Sequence, residues 1–268
     1  MNSITREEYY AASANGSRIS FHSLLDFYKN GKEYHRHITG EIPQPPPTRA
    51  MFIGTATHTL VLEGREKFNA EYIVADGPIN AKTGAPFGRE TKAFRDWLAE
   101  QTKPVVTSDE AEQIEAMNAA VHGHDIANQL LASGAAETAV RFDWCGLPCQ
   151  SMIDWVNMDL GGGIIADLKT CDDIDRFIWN ARDARYIAQL AFYRAAMRVE
   201  TARDMDCYVI AVEKAARPRC GVYMIPTADL DEAEDWIMQQ LHALAEARAT
   251  DTWRDGYESL RYLTLHNN

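Results

Sequence analysis

The chain has 268 residues and a formal net charge of −12, which argues against a protein that coats nucleic acid through a broadly basic surface. Apolar residues make up 46% and charged residues 25%, as in ordinary water-soluble globular proteins. We find no apolar segment typical of a signal peptide or a membrane span, and the spacing of the five cysteines suits neither a disulfide framework nor a metal–thiolate site. We therefore expect a cytoplasmic protein.

The first half of the chain predicts helices separated by loops. Apolar residues at helical spacing predict helices in residues 17–31, 50–64, 89–101 and 107–121. Gly64 is a stop signal for the second of these helices, and Thr107 with Glu110 forms a capping-box pattern for the fourth. The prolines between residues 40 and 50 predict an extended connection. A basic patch over residues 29–37 is a solvated surface or a phosphate contact.

From residue 137 onward the pattern changes to strands. Alternating or continuous apolar runs predict strands at 137–144, 148–156, 163–170, 207–214 and 219–225, with helices at about 175–200 and 227–247. This order indicates a mixed β-sheet with helices on its faces. We expect one α/β domain over residues 1–268, in which residues 1–50 are a helical and proline-rich addition and residues 51–268 form the core.

The segment IIADLKT, residues 164–170, places two charged residues at the end of an apolar strand. Side chains alternate along a strand, so Asp167 and Lys169 should lie on one face. With a turn near residues 159–163, Asp154 would lie beside Asp167. Two adjacent carboxylates repel each other unless a cation lies between them, and Mg²⁺ prefers oxygen ligands. The pattern fits metal-assisted phosphodiester hydrolysis, but a plain ion pair on a strand edge remains open.

The helix that follows carries a second pattern. In RYIAQLAFYRAAM, Gln189 and Tyr193 are separated by four residues and share one face, with Tyr186 one turn earlier. Alone, such a pair is usually the edge of a core. Directly after the strand that carries Asp167 and Lys169, it is typical of one branch of the PD-(D/E)xK nucleases.

Taken together, these segments resemble the RecE-type exonuclease (exonuclease eight) family of the RecB-like PD-(D/E)xK nucleases. The resemblance runs from about residue 8 to 225 and rests on the order and spacing of SRISFHSLLDFYKN, FIGTATHTLVLE, GAPFGRETKAF, ETAVRF, CQSMID, IIADLKT and YIAQLAFYR. It implies a restriction-endonuclease-like core: a mixed central β-sheet flanked by helices, with a helical N-terminal addition.

The resemblance also implies roles for individual residues. The metal ligands would be His58, Asp154, Asp167 and the Leu168 carbonyl, and the catalytic set would be Asp154, Asp167, Lys169, Gln189 and Tyr193. Gln189 and Tyr193 would orient the DNA backbone or Lys169. Glu63 and Glu137 are candidates for supporting positions behind the ligands. Relatives often carry a basic residue shortly before Asp154, where this chain has Gln150 and Met152, which puts a phosphate contact there in doubt.

By the same resemblance, we expect an exonuclease that uses Mg²⁺ (or Mn²⁺) to degrade linear double-stranded DNA from its 5′ ends, leaving 3′ single strands. Such enzymes act in phage or prophage recombination with a single-strand annealing protein and assemble into toroidal homo-oligomers. A basic inner channel would then contain Arg176, Arg182, Arg185, Arg194 and Arg198. An endonuclease of the same fold and a non-catalytic DNA-binding or assembly protein remain alternatives.

Overall fold

A computed structural model describes residues 4–260. Within this part of the chain there are eleven α-helices, one π-helical segment and seven strands. The helices are α1 (Arg6–Ala14), α2 (Phe21–Lys29), α3 (Gly31–Ile38), α4 (Arg49–His58), α5 (Arg65–Glu71), α6 (Lys92–Ala99), α7 (Ser108–His122), α8 (Asp125–Leu130), α9 (Phe177–Asp183), α10 (Tyr186–Thr201) and α11 (Thr227–Thr250). The π-helical segment (Thr59–Glu63) continues α4. No helix between residues 4 and 260 is both long and apolar enough to cross a membrane.

The strands form one large sheet and one small one. They are β1 (Ile73–Val74), β2 (Val105–Val106), β3 (Ala135–Trp144), β4 (Leu147–Asn157), β5 (Ile164–Cys171), β6 (Asp206–Glu213) and β7 (Cys220–Ile225). The large sheet has the order β3-β4-β5-β6-β7, with β5 and β6 parallel and the other neighbours antiparallel. The predicted mixed sheet is therefore confirmed. The parallel pair β1–β2 was not predicted, because two residues are too short to show alternation.

Helices cover both faces of the large sheet. On one face, α2, α10 and α11 pack against apolar residues of β3 to β6, and on the other, α4, α7 and α8 pack against β5 and β6. The N-terminal segment belongs to the first of these cores, since Ile19, Phe21 and Leu24 are buried there. Ile19 also exchanges backbone hydrogen bonds with Pro148 and Gln150 of β4. The first residues thus help to build the core.

The helix expected over residues 175–200 is in fact two helices, α9 and α10, and the prediction was wrong at this point. The chain breaks at Arg185, whose φ of 55° lies in the left-handed region that non-glycine residues rarely adopt. No proline or glycine marks the break, so the sequence carried no signal for it. The break lets Tyr186 begin a new helix directly above the sheet.

Several basic residues predicted to face DNA are already engaged. Arg194 is buried and pairs with Asp231 and Glu234 of α11, and Arg198 pairs with Asp204 and Glu234. These two arginines join α10 to α11, so their guanidinium groups already have partners within the chain. In the patch at residues 29–37, Lys32 pairs with Asp255, Arg36 pairs with Glu41, and His35 stacks on Trp253. These three side chains therefore have partners within the chain.

The packing of α10 on the sheet generates a stability prediction. Leu190 is fully buried, so Leu190→Ala should lower the free energy of unfolding by about 2–5 kcal/mol through lost burial and the cavity left behind. Urea denaturation measures this change. Val199→Ala on the same helix is the control, because Val199 is 64% exposed and should cost far less. Equal losses for the two variants would contradict the packing described.

Candidate active site

Asp154 and Asp167 lie where β4 and β5 separate. The paired register runs from Asn157↔Ile164 to Trp155↔Ala166 and stops one pair before the two aspartates. Beyond it, the Asp154 carboxylate accepts a hydrogen bond from the Leu168 amide at 3.0 Å. The Asp154 side chain thus takes the place of a backbone partner for the Leu168 amide. The gap between β4 and β5 leaves room for side chains from both helix layers.

The alternation predicted for β5 is confirmed. Ala166 and Leu168 are buried in the core beneath α4 and α7, and Asp167 and Lys169 point to the opposite face. Lys169 Nζ lies 2.6 Å from Asp167 Oδ2, and both side chains are largely buried. This is a shielded ion pair, which differs from the exposed edge pair that the sequence left open.

His58 reaches the site from the other helix layer. It is the last residue of α4, where the helix changes to the π-helical segment, and its Nδ1 lies 3.3 Å from Asp154 Oδ2. Single π-helical turns are frequent at functional sites, because they shift the direction of neighbouring side chains. Burial and the positive charge of Lys169 lower the pKa of His58 to about 4. The imidazole is therefore neutral near pH 7, which is the form that binds metal ions.

Burial also governs the acidic groups. It raises the pKa of Asp167 to about 6, and the ammonium of Lys169 limits the rise. Burial raises the pKa of Asp154 as well, against the effects of Lys169 and of the Leu168 amide. For Lys169, burial opposes the charged form, but the carboxylates of Asp167 and Asp154 outweigh it and raise the pKa. Lys169 is therefore a cation in this site.

The donor set fits a hard divalent cation. Both carboxylate oxygens of Asp167 are buried; Oδ2 is held by the Lys169 ammonium at 2.6 Å, and Oδ1 has no hydrogen-bond partner. Buried carboxylate oxygens normally have partners, and Oδ1 is available to a metal. Within residues 4–260, no three His, Cys, Asp or Glu side chains already surround a common point as a metal cage. The fit therefore rests on the available Asp167 oxygen and on the neutral His58 beside Asp154.

Residues of α10 support Lys169 and lie close to the aspartates. The Tyr186 ring lies 4.9 Å from Lys169 Nζ, which is within the range of a cation–π contact. One turn further, Gln189 Nε2 donates a hydrogen bond of 2.7 Å to Tyr193 Oη, and both residues are buried. Burial and the nearby charges of Asp167 and Asp154 raise the pKa of Tyr193 well above its ordinary value. Tyr193 is thus a neutral hydroxyl behind the carboxylates.

A second network lies beside the site, and sequence reasoning found only part of it. Glu63 and Glu137, noted as supporting candidates, both pair with Arg6 of α1, which also contacts Glu71. Glu137 lies within β3 at a φ of 50°, a strained conformation for a non-glycine residue, opposite the position of Asp154. Burial and the charge of Asp154 raise the pKa of Glu137 to about 7. The roles of Arg6 and Glu71 had no motif to reveal them.

Gln150 has a structural part in holding α1 in place. Its amide nitrogen donates hydrogen bonds to the Tyr9 carbonyl at 2.7 Å and to Ser13 Oγ at 2.9 Å. Gln150 is fully buried, so a phosphate contact at this position, already doubtful from the sequence, is not available in this structure. The side chain instead ties α1, and with it Arg6, to the strand that carries Asp154.

The buried hydrogen bond of α10 can be tested by stability measurements. Tyr193→Phe leaves the Gln189 amide without its partner, so the free energy of unfolding should fall by about 1–3 kcal/mol. Combining it with Gln189→Leu should cost less than the sum of the two single changes, because no orphaned polar group remains. Urea denaturation of the four proteins measures this coupling. Additive losses would show that the two side chains do not interact.

Comparison with known proteins agrees with this architecture. A crystallised candidate exonuclease from Eubacterium rectale superposes with a TM-score of 0.70 over 99% of this chain and 97% of that one, at 15% sequence identity. That likeness shows the fold. The crystal structure of SSO0001 covers 53% of this chain and 68% of its own at 12% identity, and its TM-score of 0.31 supports no argument. No curated protein matches the chain. Residues 20–266 match the model of the PDDEXK-like domain of unknown function (DUF3799), and the chain therefore belongs to this family of the PD-(D/E)xK superfamily.

Proposed function

We propose that this protein is a metal-dependent nuclease that hydrolyses phosphodiester bonds in DNA. The observation that carries the proposal is the Asp167 carboxylate, which is buried with one oxygen paired to Lys169 and the other without a hydrogen-bond partner. A protein gains nothing in stability from such a group, because burying a carboxylate without full hydrogen bonding is costly. Groups held at such a cost are typical of functional sites.

The metal proposed is Mg²⁺, with Mn²⁺ as a substitute. Asp167, Asp154, His58 and the Leu168 carbonyl would hold it, and the oxygens among them suit a hard cation. When bound, the metal would act as a Lewis acid toward the phosphodiester and lower the pKa of a water molecule. The contacts of His58 and Leu168 with Asp154 keep that carboxylate at the gap between β4 and β5.

The chain's own residues would hold the phosphate and stabilise negative charge. Lys169 is a buried cation between the Asp167 carboxylate and the Tyr186 ring, so its ammonium has a defined position. From there it can stabilise the charge that develops on the phosphate oxygens in the transition state. Gln189 and Tyr193 are buried, which favours a role in orienting this site over direct contact with the DNA backbone.

We propose further that the enzyme is a RecE-type exonuclease that removes nucleotides from the 5′ ends of linear double-stranded DNA. The order of motifs from residue 8 to 225 supports this, together with the fold shared with the Eubacterium rectale candidate exonuclease. Its partners would be DNA ends and a single-strand annealing protein of phage or prophage recombination, and it would act as a toroidal homo-oligomer in the cytoplasm. Among the arginines first assigned to a channel, Arg176 and Arg182 stay exposed.

The activity can be tested with linear duplex DNA labelled at either the 5′ or the 3′ end, beside a closed circle. With Mg²⁺ we expect early release of the 5′ label, no cutting of the circle and no reaction in EDTA. Lys169→Ala should lower the rate by about 100-fold or more through lost charge stabilisation. Lys214→Ala is the matched control, because Lys214 pairs with the exposed Asp172 instead.

Other outcomes of this assay point to other functions. Cutting of the circle would replace the exonuclease with an endonuclease of the same fold. Early release of the 3′ label would reverse the proposed polarity. No cleavage with either Mg²⁺ or Mn²⁺ would remove the nuclease proposal and leave a DNA-binding or assembly role.

Metal binding can be measured directly by titration calorimetry. Mg²⁺ or Mn²⁺ should bind the wild-type protein, and Asp167→Asn should weaken binding by about tenfold or more, since even partners outside the ligand shell have effects of that size. Asp172→Asn is the matched control, because the Asp172 side chain is 90% exposed and belongs to a different ion pair. Equal affinity of all three proteins would place the metal elsewhere.

A further inference from the structure

The short helix α9 presents an exposed face that nothing in the proposed site uses. Ile178 is 51% exposed and Trp179 is 63% exposed, and Arg176 and Arg182, also exposed, lie three positions before and three positions after Trp179. We refer to these four residues as the α9 surface. Within residues 4–260, neither of the two arginines forms an ion pair, whereas eight of the other sixteen arginines do. An exposed indole between two free cations is an unusual surface for a protein of net charge −12.

The α9 surface is coupled directly to the candidate site. Phe177, the first residue of α9, is buried and stacks against Tyr186 with ring centroids 5.9 Å apart. Tyr186 in turn holds Lys169 under its ring. Phe177 also stacks on Tyr223 of β7 at 5.2 Å. The two ring contacts of Phe177 therefore fix α9 beside the residues proposed to act on the phosphate.

The two charged residues of the α9 surface are both cations, which favours a negatively charged partner. Of the acidic residues that precede the helix, Asp172 pairs with Lys214, and Asp173 and Asp175 share Arg219 with Glu213. Asp183, the last residue of α9, is the one acidic side chain within the helix. Arg176 and Arg182 are spaced to share one side of the helix with Trp179, a combination that suits phosphates and base faces together.

Aromatic and basic groups continue from α9 to Arg185, the residue before α10, and to rings of α2 and α11. Arg185, in its left-handed conformation, stacks on Tyr28 and Trp236, with its guanidinium carbon 4.7 Å and 4.3 Å from the two ring centroids. Arg185 also donates a hydrogen bond to Tyr28 Oη at 3.0 Å. A groove of about 330 Å³ is lined by Arg182, Arg185 and Trp236, with Asp229 and Glu232 also on its lining. The α9 surface is thus one end of a strip in which cations alternate with aromatic rings.

We infer that the α9 surface binds single-stranded DNA next to the candidate site, with a base stacked on Trp179 and phosphates on Arg176 and Arg182. The inference rests on the proposed function and specifies which part of the substrate the enzyme holds. An indole can stack only on a base whose face is exposed, and the outside of a duplex offers none except at its end. The strand held here is therefore an unpaired segment at a DNA end.

Fluorescence anisotropy in EDTA tests the inference without cleavage, using a labelled oligothymidylate and a blunt duplex of equal length. Trp179→Ala should weaken binding of the oligothymidylate about tenfold, since one stacked base contributes roughly that factor, and should affect the duplex less. Trp179→Phe should restore most of the affinity because it keeps an aromatic face. Val199→Ala, also at an exposed apolar residue, is the control and should bind as the wild type does.

Arg182→Gln provides an independent test of the α9 surface if Trp179→Ala fails to fold. Loss of one phosphate contact should make the dependence of affinity on salt concentration less steep for oligothymidylate. Unchanged affinity and salt dependence in these variants would overturn the inference, as would a wild-type protein that does not bind oligothymidylate.

Sedimentation velocity tests the alternative occupant of the α9 surface, which is a second copy of the protein. A change in oligomeric state in Trp179→Ala, with unchanged DNA affinity, would make the α9 surface an interface between copies.

Cleavage by the wild-type protein in Mg²⁺ separates this inference from the proposed function. Cleavage that persists while Trp179→Ala binds normally removes the α9 inference alone. Weakened binding in Trp179→Ala without any wild-type cleavage supports the DNA-binding surface and removes the nuclease.

Discussion

The buried carboxylate of Asp167 is the constraint around which the site is organised. Burying a charged group in the interior is costly, and here the cost is offset mainly by the ammonium of Lys169 on the same strand face. Lys169 must then be buried as well and held in position, which the Tyr186 ring does. After the break at Arg185, α10 starts at Tyr186, the residue whose ring meets Lys169.

The large sheet makes room for the Asp167 carboxylate because β4 and β5 separate beside it. β4 and β5 pair as far as Trp155 and Ala166 and then diverge, and the Asp154 side chain takes over a backbone amide. Through this gap His58 approaches from one helix layer and the residues of α10 from the other. Polar groups from both helix layers can therefore meet in the interior of the protein. The apolar residues on the two faces of β5 still belong to two separate cores.

Arg6 offsets the negative charge of the acidic residues behind the site, as Lys169 does for Asp167. Glu63, Glu71 and Glu137 come from three different elements and would repel one another and Asp154 without a cation among them. Gln150 fixes the helix that carries Arg6 to the strand that carries Asp154. The N-terminal residues, which the sequence suggested to be an addition to the core, thus contribute both apolar packing and the balancing charge of the site.

The sequence by itself determined the relations between residues that are close together in the chain. The period of a strand places Asp167 and Lys169 on one face, and the period of a helix aligns Gln189 with Tyr193, so these relations were predictable from spacing. His58 was found only through the resemblance of the whole motif order, because a single histidine on a helix has no diagnostic spacing. The tertiary structure alone decided the partners of Arg6, the pairing of Arg194 with α11, the helix break at Arg185 and the shifted pKa values. Each of these depends on burial and on contacts between segments far apart in the chain, which local periodicity does not encode.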